Sequence, residues 1–228
     1  MLALVGSGEY LPPMEPVDRY LLGQLKTAPN VICLPTAAGT EGSERINYWM
    51  KLGKVHFSRL GAQVDSLPVI DPPSANDARF AEQIRQANFV YLSGGKPDYL
   101  YRTLVHSLVW EAVLKILKQG GVVAGCSAGA MIMGEHMPGF PGLKPAFGLL
   151  SGMVIMPHFD EIPVAMINLL QLLVRDQQTL LGIEGNTALV VSEEGYQVVG
   201  SGGVVVWNKK EKMRYTQGQQ LKLPQPDR

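Results

Sequence analysis

Residues 125–129 read Gly-Cys-Ser-Ala-Gly and place two candidate nucleophiles side by side. They follow an apolar run typical of a buried strand and precede a segment typical of a helix, which is the context of a nucleophile elbow. In such a turn the central residue, Ser127, points its hydroxyl outward, and its neighbours must be small to avoid steric clashes. The backbone N–H of Ala128 lies at the start of the helix, where it can bind an oxyanion. The pattern therefore predicts nucleophilic catalysis by Ser127.

Cys126 is the alternative nucleophile in this turn. It lacks a glycine two residues further on, and as the last residue of the predicted strand it should turn its side chain away from the tip. A nucleophilic Cys126 would indicate a glutamine amidotransferase-like enzyme. The same small residues also suit a tight turn with a purely steric role, in a non-catalytic module that binds or regulates through small molecules. The register favours Ser127, and these two alternatives stay open.

A serine hydroxyl needs a base that takes its proton, and the chain contains four histidines. His158 directly follows a predicted strand, and Asp160 is predicted to cap the helix after it. His56 and His106 lie within helical segments, as surface or packing residues. His136 follows the predicted helix of the elbow, which would carry it away from the turn. We therefore expect His158 to be the general base.

Short apolar runs alternate with longer amphipathic segments through most of the chain, as expected for parallel strands joined by crossover helices. The strands are predicted at residues 2–5, 31–35, 64–69, 89–92, 122–126, 153–156 and 180–183. The helices are predicted at residues 17–26, 44–60, 77–86, 99–118, 128–134 and 161–175. This pattern predicts an α/β fold with a mostly parallel open sheet and helices on both faces. Ligands of such sheets bind beyond the carboxyl ends of the strands.

The C-terminal part of the chain has a different pattern. From Thr187 onward, β-branched runs are separated by turn-forming sequences at residues 193–195, 200–203 and 208–210. We predict an antiparallel β meander that closes the fold, followed by a loose tail at residues 220–228. Because the sequence contains no repeat and no Gly/Ser-rich linker, we expect residues 1–228 to form a single hydrolase domain.

The composition excludes several classes of function. Twenty basic residues balance twenty acidic ones, so no overall charge attracts nucleic acid or an anionic membrane. The two cysteines, Cys33 and Cys126, both lie in apolar runs, which argues against a disulfide framework and for a reducing compartment. The N-terminal segment lacks the features of a signal peptide, and no apolar run is long enough to span a membrane, so we expect a cytoplasmic protein. The motifs that typify metal and nucleotide sites are missing from the sequence, so we expect no metal and no cofactor.

Four segments resemble, in their order and spacing, the serine peptidases that include cyanophycinase and α-aspartyl dipeptidase. The segments are Leu-Ser-Gly-Gly at 92–95, Gly-Cys-Ser-Ala-Gly-Ala at 125–130, Phe-Gly-Leu-Leu at 147–150 leading to Met-Pro-His-Phe at 156–159, and Gly-Ile-Glu-Gly-Asn-Thr-Ala-Leu-Val-Val at 182–191. The resemblance covers most of the chain. It implies a class I glutamine amidotransferase-like fold and the activity of a serine hydrolase.

The resemblance also implies roles for individual residues. Ser127 matches the nucleophile of the family, and His158 matches its general base. The backbone N–H groups of Gly94 or Gly95, together with that of Ala128, would form the oxyanion hole. No cofactor is implied.

The acidic partner of the histidine departs from the family pattern. Cyanophycinase-like members carry Asp-Glu after Gly-Ile, whereas this chain has Glu184 and Gly185. When the following Asn-Thr-Ala-Leu is aligned, the usual glutamate falls on Gly185 and Glu184 lies one position early. Glu184 is the predicted acid of a triad, and Glu9, in the loop after the first strand, is the alternative.

The stretch after His158 makes a prediction about specificity. The resemblance implies arginines soon after this histidine, because both named enzymes act beside aspartyl groups. Residues 159–174 contain no basic residue, and two acids near their start, Asp160 and Glu161, would repel an acidic side chain. Lys96 and Arg45 are the remaining candidates for a cation that binds such a group.

These observations together predict a serine-type hydrolase, an exo- or dipeptidase that forms an acyl-enzyme on Ser127 and prefers neutral to aspartyl substrates. The expected partner is a small peptide or another small molecule. Nucleic acid and membrane are not expected as partners, and a homodimer is the assembly to consider.

Overall fold

A computed structural model describes residues 1–139, 141–174, 177–221 and 223, and within these residues the chain forms two β-sheets. The strands of the eight-stranded sheet are β1 (Leu2–Val5), β2 (Asn30–Leu34), β3 (Gln63–Ser66), β4 (Phe89–Leu92), β5 (Val122–Cys126), β10 (Thr187–Ser192), β11 (Gly195–Gly200) and β14 (Gln220–Leu221). The strands of the six-stranded sheet are β6 (Gly134–Gly139), β7 (Gly142–Pro145), β8 (Leu150–Met156), β9 (Thr179–Ile183), β12 (Gly203–Trp207) and β13 (Lys212–Thr216). The helices are α1 (Glu15–Gly23), α2 (Ser43–Arg59), α3 (Pro72–Ala75), α4 (Ala78–Arg85), α5 (Pro97–Leu104), α6 (Leu108–Lys118), α7 (Ala128–Met131) and α8 (Val164–Leu173).

The larger sheet confirms the predicted α/β class. Its strand order is β14-β11-β10-β1-β5-β4-β2-β3, and the block from β1 to β3 is parallel throughout. β10, β11 and β14 extend the sheet in antiparallel fashion beyond β1. Because β1, β5 and β4 are adjacent and parallel, the loops after them converge at one edge of the sheet.

The core lies on both faces of the larger sheet, as the alternation along β1 shows. Leu2 and Leu4 point into a cluster that also receives the apolar sides of α4, α5 and α6. Ala3 and Val5 point into a second cluster, which is covered by α1 and α2. A strand buried on both faces reads as a continuous apolar run, and the sequence pattern of β1 follows from this position.

The smaller sheet was not predicted as a separate layer. Its strands β8 and β9 were predicted as strands, but they pair with each other and with neighbours outside the larger sheet. Met153 and Ile155 of β8 pack into the core of the larger sheet, whereas Val154 faces a third cluster that includes Ile167 of α8. The two sheets therefore share one core, and the end of β8 is brought toward the end of β5.

The predicted C-terminal meander is divided between the two sheets. β10 and β11 continue the larger sheet, while β12 and β13 join β9 in the smaller one. The glycine-rich turn at residues 200–203 makes the crossing, and Gly200 has a left-handed backbone with a φ of 125°. The turn was predicted correctly, but the change of sheet depends on tertiary packing.

Two predicted helices end differently in the structure. The segment predicted as one helix, residues 99–118, is broken between α5 and α6, where His106 has a φ of 59° and the Ser107 hydroxyl accepts a hydrogen bond from the Trp110 N–H at 3.1 Å. That contact is an N-cap, which starts a new helix. The helix predicted at residues 128–134 ends at Met131, and His136 consequently lies on β6 rather than after a helix.

The predicted tail begins with a short strand. Gln220 and Leu221, the first residues of the predicted tail, pair with β11 as β14. Residues 222 and 224–228 of that tail lie outside the described residues, as does Arg175 at the end of the helix predicted at 161–175.

The single domain over residues 1–228 stays a prediction. In the described part of the chain, no helix has the length and apolar character needed to cross a bilayer.

Candidate active site

Ser127 lies in the sharp turn between β5 and α7. Its backbone has a φ of 52° and a ψ of −112°, a conformation that residues with side chains rarely adopt and that occurs at strained functional turns. The Ser127 N–H donates to the Val5 carbonyl at 3.0 Å, which ties the turn to β1. A Cβ on Gly125 would lie 2.3 Å from the carbonyl oxygen of Gly129. The small residues that flank the serine are therefore required by close backbone contact.

His158 reaches Ser127 from the smaller sheet. It follows β8, and its Nε2 lies 3.1 Å from the Ser127 Oγ. Its backbone φ of 53° is also left-handed. The N–H of Phe159 donates to the Ile183 carbonyl at 3.1 Å, so the loop is fastened to the end of β9. At this distance an unprotonated imidazole nitrogen can take the serine proton.

The carboxylate that faces His158 is that of Glu161. Its Oε2 lies 3.1 Å from the Nδ1 of His158, and its Oε1 lies 3.5 Å from the Ser7 hydroxyl. The two residues are three apart in one turn, since the Glu161 N–H donates to the His158 carbonyl at 2.9 Å. Sequence reasoning treated Glu161 as a helix residue that repels acidic substrates and missed this contact. The spacing of three residues after the candidate base was the available signal.

Glu184, the predicted acid, is directed elsewhere. Its carboxylate accepts hydrogen bonds from the Arg214 guanidinium at 2.5 and 2.6 Å and from the Gly203 N–H at 2.7 Å. The hydrogen bond from Arg214 holds the pKa of Glu184 below its ordinary value. The structure thus corrects the predicted pairing of Glu184 with His158, because Glu184 fastens the β12–β13 hairpin instead.

Asp160 also differs from its predicted role. The helix after the base loop begins at Val164, with Pro163 at its N-cap, so Asp160 does not cap it. Instead the Asp160 carboxylate accepts a hydrogen bond from the Gly185 N–H at 2.9 Å. This contact links the loop after β8 to the loop after β9.

Glu9, the alternative acid, lies behind the nucleophile turn and has different partners. It is buried, with 8% of its surface exposed. Its Oε1 accepts a hydrogen bond from the Gly94 N–H at 2.8 Å, and its Oε2 lies 3.0 Å from the Cys126 Sγ. Burial, and next to it the charge of Glu9, raise the pKa of the Cys126 thiol well above its usual value. The thiol is therefore protonated and donates to Glu9, and it is a poor nucleophile.

The predicted oxyanion donors are not equivalent in the structure. Gly94 lies against the nucleophile, since a Cβ on it would be 3.2 Å from the Cβ of Ser127. Its N–H, however, is occupied by Glu9. Among the described residues, the N–H groups of Gly95 and Ala128 have no hydrogen-bond partner. These two N–H groups are therefore free to serve as the predicted oxyanion donors.

The other three histidines lie apart from this arrangement. His136 contacts Gln178 on the smaller sheet, with 2.9 Å between its Nδ1 and the amide nitrogen. His56 is buried, and its Nε2 lies 2.8 Å from a carboxylate oxygen of Asp18. His106 is exposed in the break between α5 and α6. His158 is the histidine that meets the candidate nucleophile.

The chain also matches a known protein family in sequence. The sequence profile of Peptidase family S51 matches residues 2–199. The chain belongs to peptidase family S51. This family consists of serine peptidases, and its assignment agrees with the resemblance deduced from the four motifs.

Two relatives match different shares of the chain. The cyanophycinase of Geminocystis herdmanii (strain PCC 6308) is 28% identical over 165 residues, which is 66% of this chain and 60% of that protein. An uncharacterized peptidase of Listeria monocytogenes serovar 1/2a is 24% identical over 143 residues, 58% of this chain and 67% of the relative. The chain thus spans about three fifths of the length of the cyanophycinase.

The crystal structure of a peptidase from an acI-B1 Actinobacterium superposes with a TM-score of 0.89. It is 33% identical in sequence, and the match covers 97% of this chain and 96% of that one. The S51 chain described here therefore has the same architecture as that peptidase over nearly its whole length, including both sheets.

Proposed function

We propose that the chain is a serine-type exo- or dipeptidase that forms an acyl-enzyme on Ser127. The observation that carries the proposal is the position of His158, which lies 3.1 Å from the Ser127 Oγ on one side and 3.1 Å from a Glu161 oxygen on the other. A serine activated by an oriented imidazole is the arrangement that acyl transfer requires. Family membership supports the same class of reaction.

The proposed reaction assigns each group a step. The Nε2 of His158 takes the proton of Ser127 while the serine oxygen attacks the carbonyl carbon of the substrate. The N–H groups of Gly95 and Ala128 stabilise the oxyanion of the tetrahedral intermediate. His158 then protonates the leaving amine, and water hydrolyses the acyl-enzyme by the same route in reverse. Glu161 orients the imidazole and stabilises the imidazolium that forms in both halves.

We also propose that neutral substrates are preferred to aspartyl ones. Asp160 and Glu161 place two carboxylates in the loop that carries His158, and Glu161 lies in direct contact with the imidazole. An acidic side chain that approaches His158 would meet the negative charge of these two carboxylates and be repelled by it.

The cations that could bind an acidic substrate are already engaged. The Lys96 ammonium donates to the Thr40 hydroxyl at 3.0 Å, and the Arg45 guanidinium lies 4.9 Å from the centroid of the Trp49 ring. The Arg214 guanidinium is paired with a carboxylate, as described above. At Arg214 an acidic substrate would have to compete with the Glu184 carboxylate, which reduces the gain from binding.

A substrate panel tests the preference. Asp-Leu, Ala-Leu and Met-Leu dipeptides and simple p-nitrophenyl esters are compared by kcat/KM. We expect the neutral substrates to be turned over faster and cyanophycin to be a poor substrate. A preference for Asp-Leu that disappears in Lys96→Ala or Arg45→Ala would contradict the proposal and identify the cation responsible.

Covalent labelling tests the nucleophile. Incubation with a fluorophosphonate probe, followed by mass spectrometry, should locate an adduct on Ser127. Inactivation by iodoacetamide with an adduct on Cys126 would instead support an amidotransferase-like enzyme. Absence of label on both residues would support a module that binds small molecules without turnover.

A further inference from the structure

Glu9 is a buried carboxylate whose partners are not cations. Within the described residues its contacts are the Gly94 N–H and the Cys126 thiol, and no salt bridge reaches it. A carboxylate with 8% of its surface exposed is costly to bury, and hydrogen bonds to both oxygens offset part of that cost. The two hydrogen bonds of Glu9 therefore fix the relative positions of the segments that contain its partners.

Glu9 joins two loops and the end of a strand at the edge of the larger sheet. It lies in the loop after β1, Cys126 ends β5, and Gly94 lies in the loop after β4. Because β5 pairs with both β1 and β4, the carboxylate spans the tip of the strand that carries the nucleophile. Cys126 directly precedes Ser127 in the chain. By bonding to both Cys126 and Gly94, Glu9 fixes the distance between the loop after β4 and the serine.

The hydrogen bond from the Gly94 N–H to Glu9 affects which N–H groups of the loop after β4 remain free. The Gly94 N–H is held by Glu9, and the Lys96 N–H donates to the Ala37 carbonyl at 2.9 Å. Gly95, between them, has a φ of 142° and a free N–H among the described residues. The two outer hydrogen bonds hold the Ser93–Gly94 and Gly95–Lys96 peptide planes, which flank the Gly94–Gly95 peptide that carries the Gly95 N–H. Of the N–H groups of Gly94, Gly95 and Lys96, that of Gly95 is therefore the one left free in the described part of the chain.

We infer that Glu9 is a positioning residue, which acts through Gly94 to hold the Gly95 N–H in place as an oxyanion donor for Ser127. The inference rests on the proposed function, because it takes Ser127 as the nucleophile. Oxyanion donors act by being fixed before the charge develops, and removal of one donor lowers kcat by about 10²–10³-fold in other serine peptidases. Loss of the contact with Glu9 misplaces a donor rather than removing it, so the expected effect is smaller, about 10–10²-fold in kcat.

Two substitutions of Glu9 separate positioning from a merely structural role. Glu9→Gln keeps an oxygen acceptor for the Gly94 N–H and offers an amide N–H to the Cys126 sulfur. Glu9→Met keeps the length and packing of the side chain but removes the acceptor. The matched control is Glu135→Met, because Glu135 accepts a hydrogen bond from the Gly152 N–H at 2.6 Å on the smaller sheet.

The measurements are kcat and KM on a p-nitrophenyl ester, the rate of fluorophosphonate labelling, and amide hydrogen exchange of Gly94 and Gly95 by NMR. We expect Glu9→Met to lower kcat and the labelling rate by about 10–10²-fold with little change in KM, and to accelerate exchange at Gly94. Glu9→Gln should keep kcat within about 5-fold of the parent, and Glu135→Met should leave it unchanged.

Several outcomes would overturn the inference. One is an equal loss in Glu9→Gln and Glu9→Met, which would mean that the charge matters rather than the hydrogen bond. Another is unchanged exchange at Gly94 in Glu9→Met. If Ser127→Ala keeps full turnover, the proposed function fails, whereas the exchange at Gly94 still decides whether Glu9 holds the loop.

Discussion

The two halves of the candidate site differ in how firmly they are held. The half that carries Ser127 is buried: Cys126 is fully inaccessible and Glu9 is 8% exposed. The half that carries the base lies in an open loop, where the side chains of His158 and Glu161 are 39% and 60% exposed. Hydrogen bonds in the buried half work in a low dielectric, whereas the contact between His158 and Glu161 is weakened by water and salt.

This difference indicates a division of labour between the two sheets. The larger sheet holds the proposed nucleophile and the proposed oxyanion donors through buried contacts. The smaller sheet delivers the base through a loop with strained backbone at His158. We therefore expect substitutions of Ser127 and His158 to lower kcat most. The exposed carboxylate of Glu161 should contribute less to kcat than the acids of buried triads do.

The largest effect is expected for Ser127→Ala. It removes the oxygen of the proposed acyl-enzyme and should reduce kcat to the level that binding and the oxyanion donors sustain alone, about 10³–10⁴-fold above the reaction in water. The fold should persist, because the turn is formed by backbone contacts. Steady-state hydrolysis and the melting temperature measure both effects. Cys126→Ala is the control and should keep activity within about 10-fold. A dead cysteine variant beside an active serine variant would reverse the assignment.

His158→Ala should have the next largest effect. Without the base the serine proton has no acceptor, and kcat should fall by several orders of magnitude, approaching that of the serine variant. The measurement is single-turnover acylation by a p-nitrophenyl ester. His136→Ala provides a matched histidine on the neighbouring strand and should cost far less. Similar losses of kcat in His158→Ala and His136→Ala would contradict the assignment of His158 as the general base.

Glu161→Gln tests how much the exposed half of the candidate site contributes to kcat. Because the contact with His158 is solvent-exposed, the loss in kcat should be about 10–10²-fold, smaller than that of the histidine variant. Salt should narrow the difference between parent and variant. Glu184→Gln should leave kcat near the parent value. If Glu184→Gln loses more activity than Glu161→Gln, the orienting acid is Glu184 and the loop changes shape during catalysis.

The smallest expected effect concerns stability. The pKa of Glu184 is held below its ordinary value of 4.5 by the hydrogen bond from Arg214, so this residue stabilises the fold at pH values above 4.5. The contribution is lost as the pH falls through the lowered pKa. Glu184→Gln should reduce the free energy of unfolding by about 1 kcal/mol at pH 7, since Arg214 is half-exposed, and by progressively less at acid pH. Urea denaturation at pH 7 and below pH 4.5 measures both values. A constant difference at all pH values would contradict the linkage.

The sequence by itself determined the parts of the protein that depend on local chemistry. The elbow around Ser127 could be predicted because adjacent backbone segments leave room only for small residues, and this constraint is visible in five consecutive letters. The parallel strands β1, β2, β4 and β5 could be predicted because strands buried on both faces are continuous apolar runs. The family could be identified because its motifs recur in order.

Only the tertiary structure decided which distant groups meet. The division of the C-terminal strands between two sheets depends on pairing partners that no local pattern specifies. The same holds for the acids: Glu184, Glu161 and Glu9 are each one carboxylate in a loop, and their roles differ because they face Arg214, His158 and Gly94 respectively. A carboxylate acts through its neighbours in space, and those neighbours are set by the packing of strands far apart in the chain.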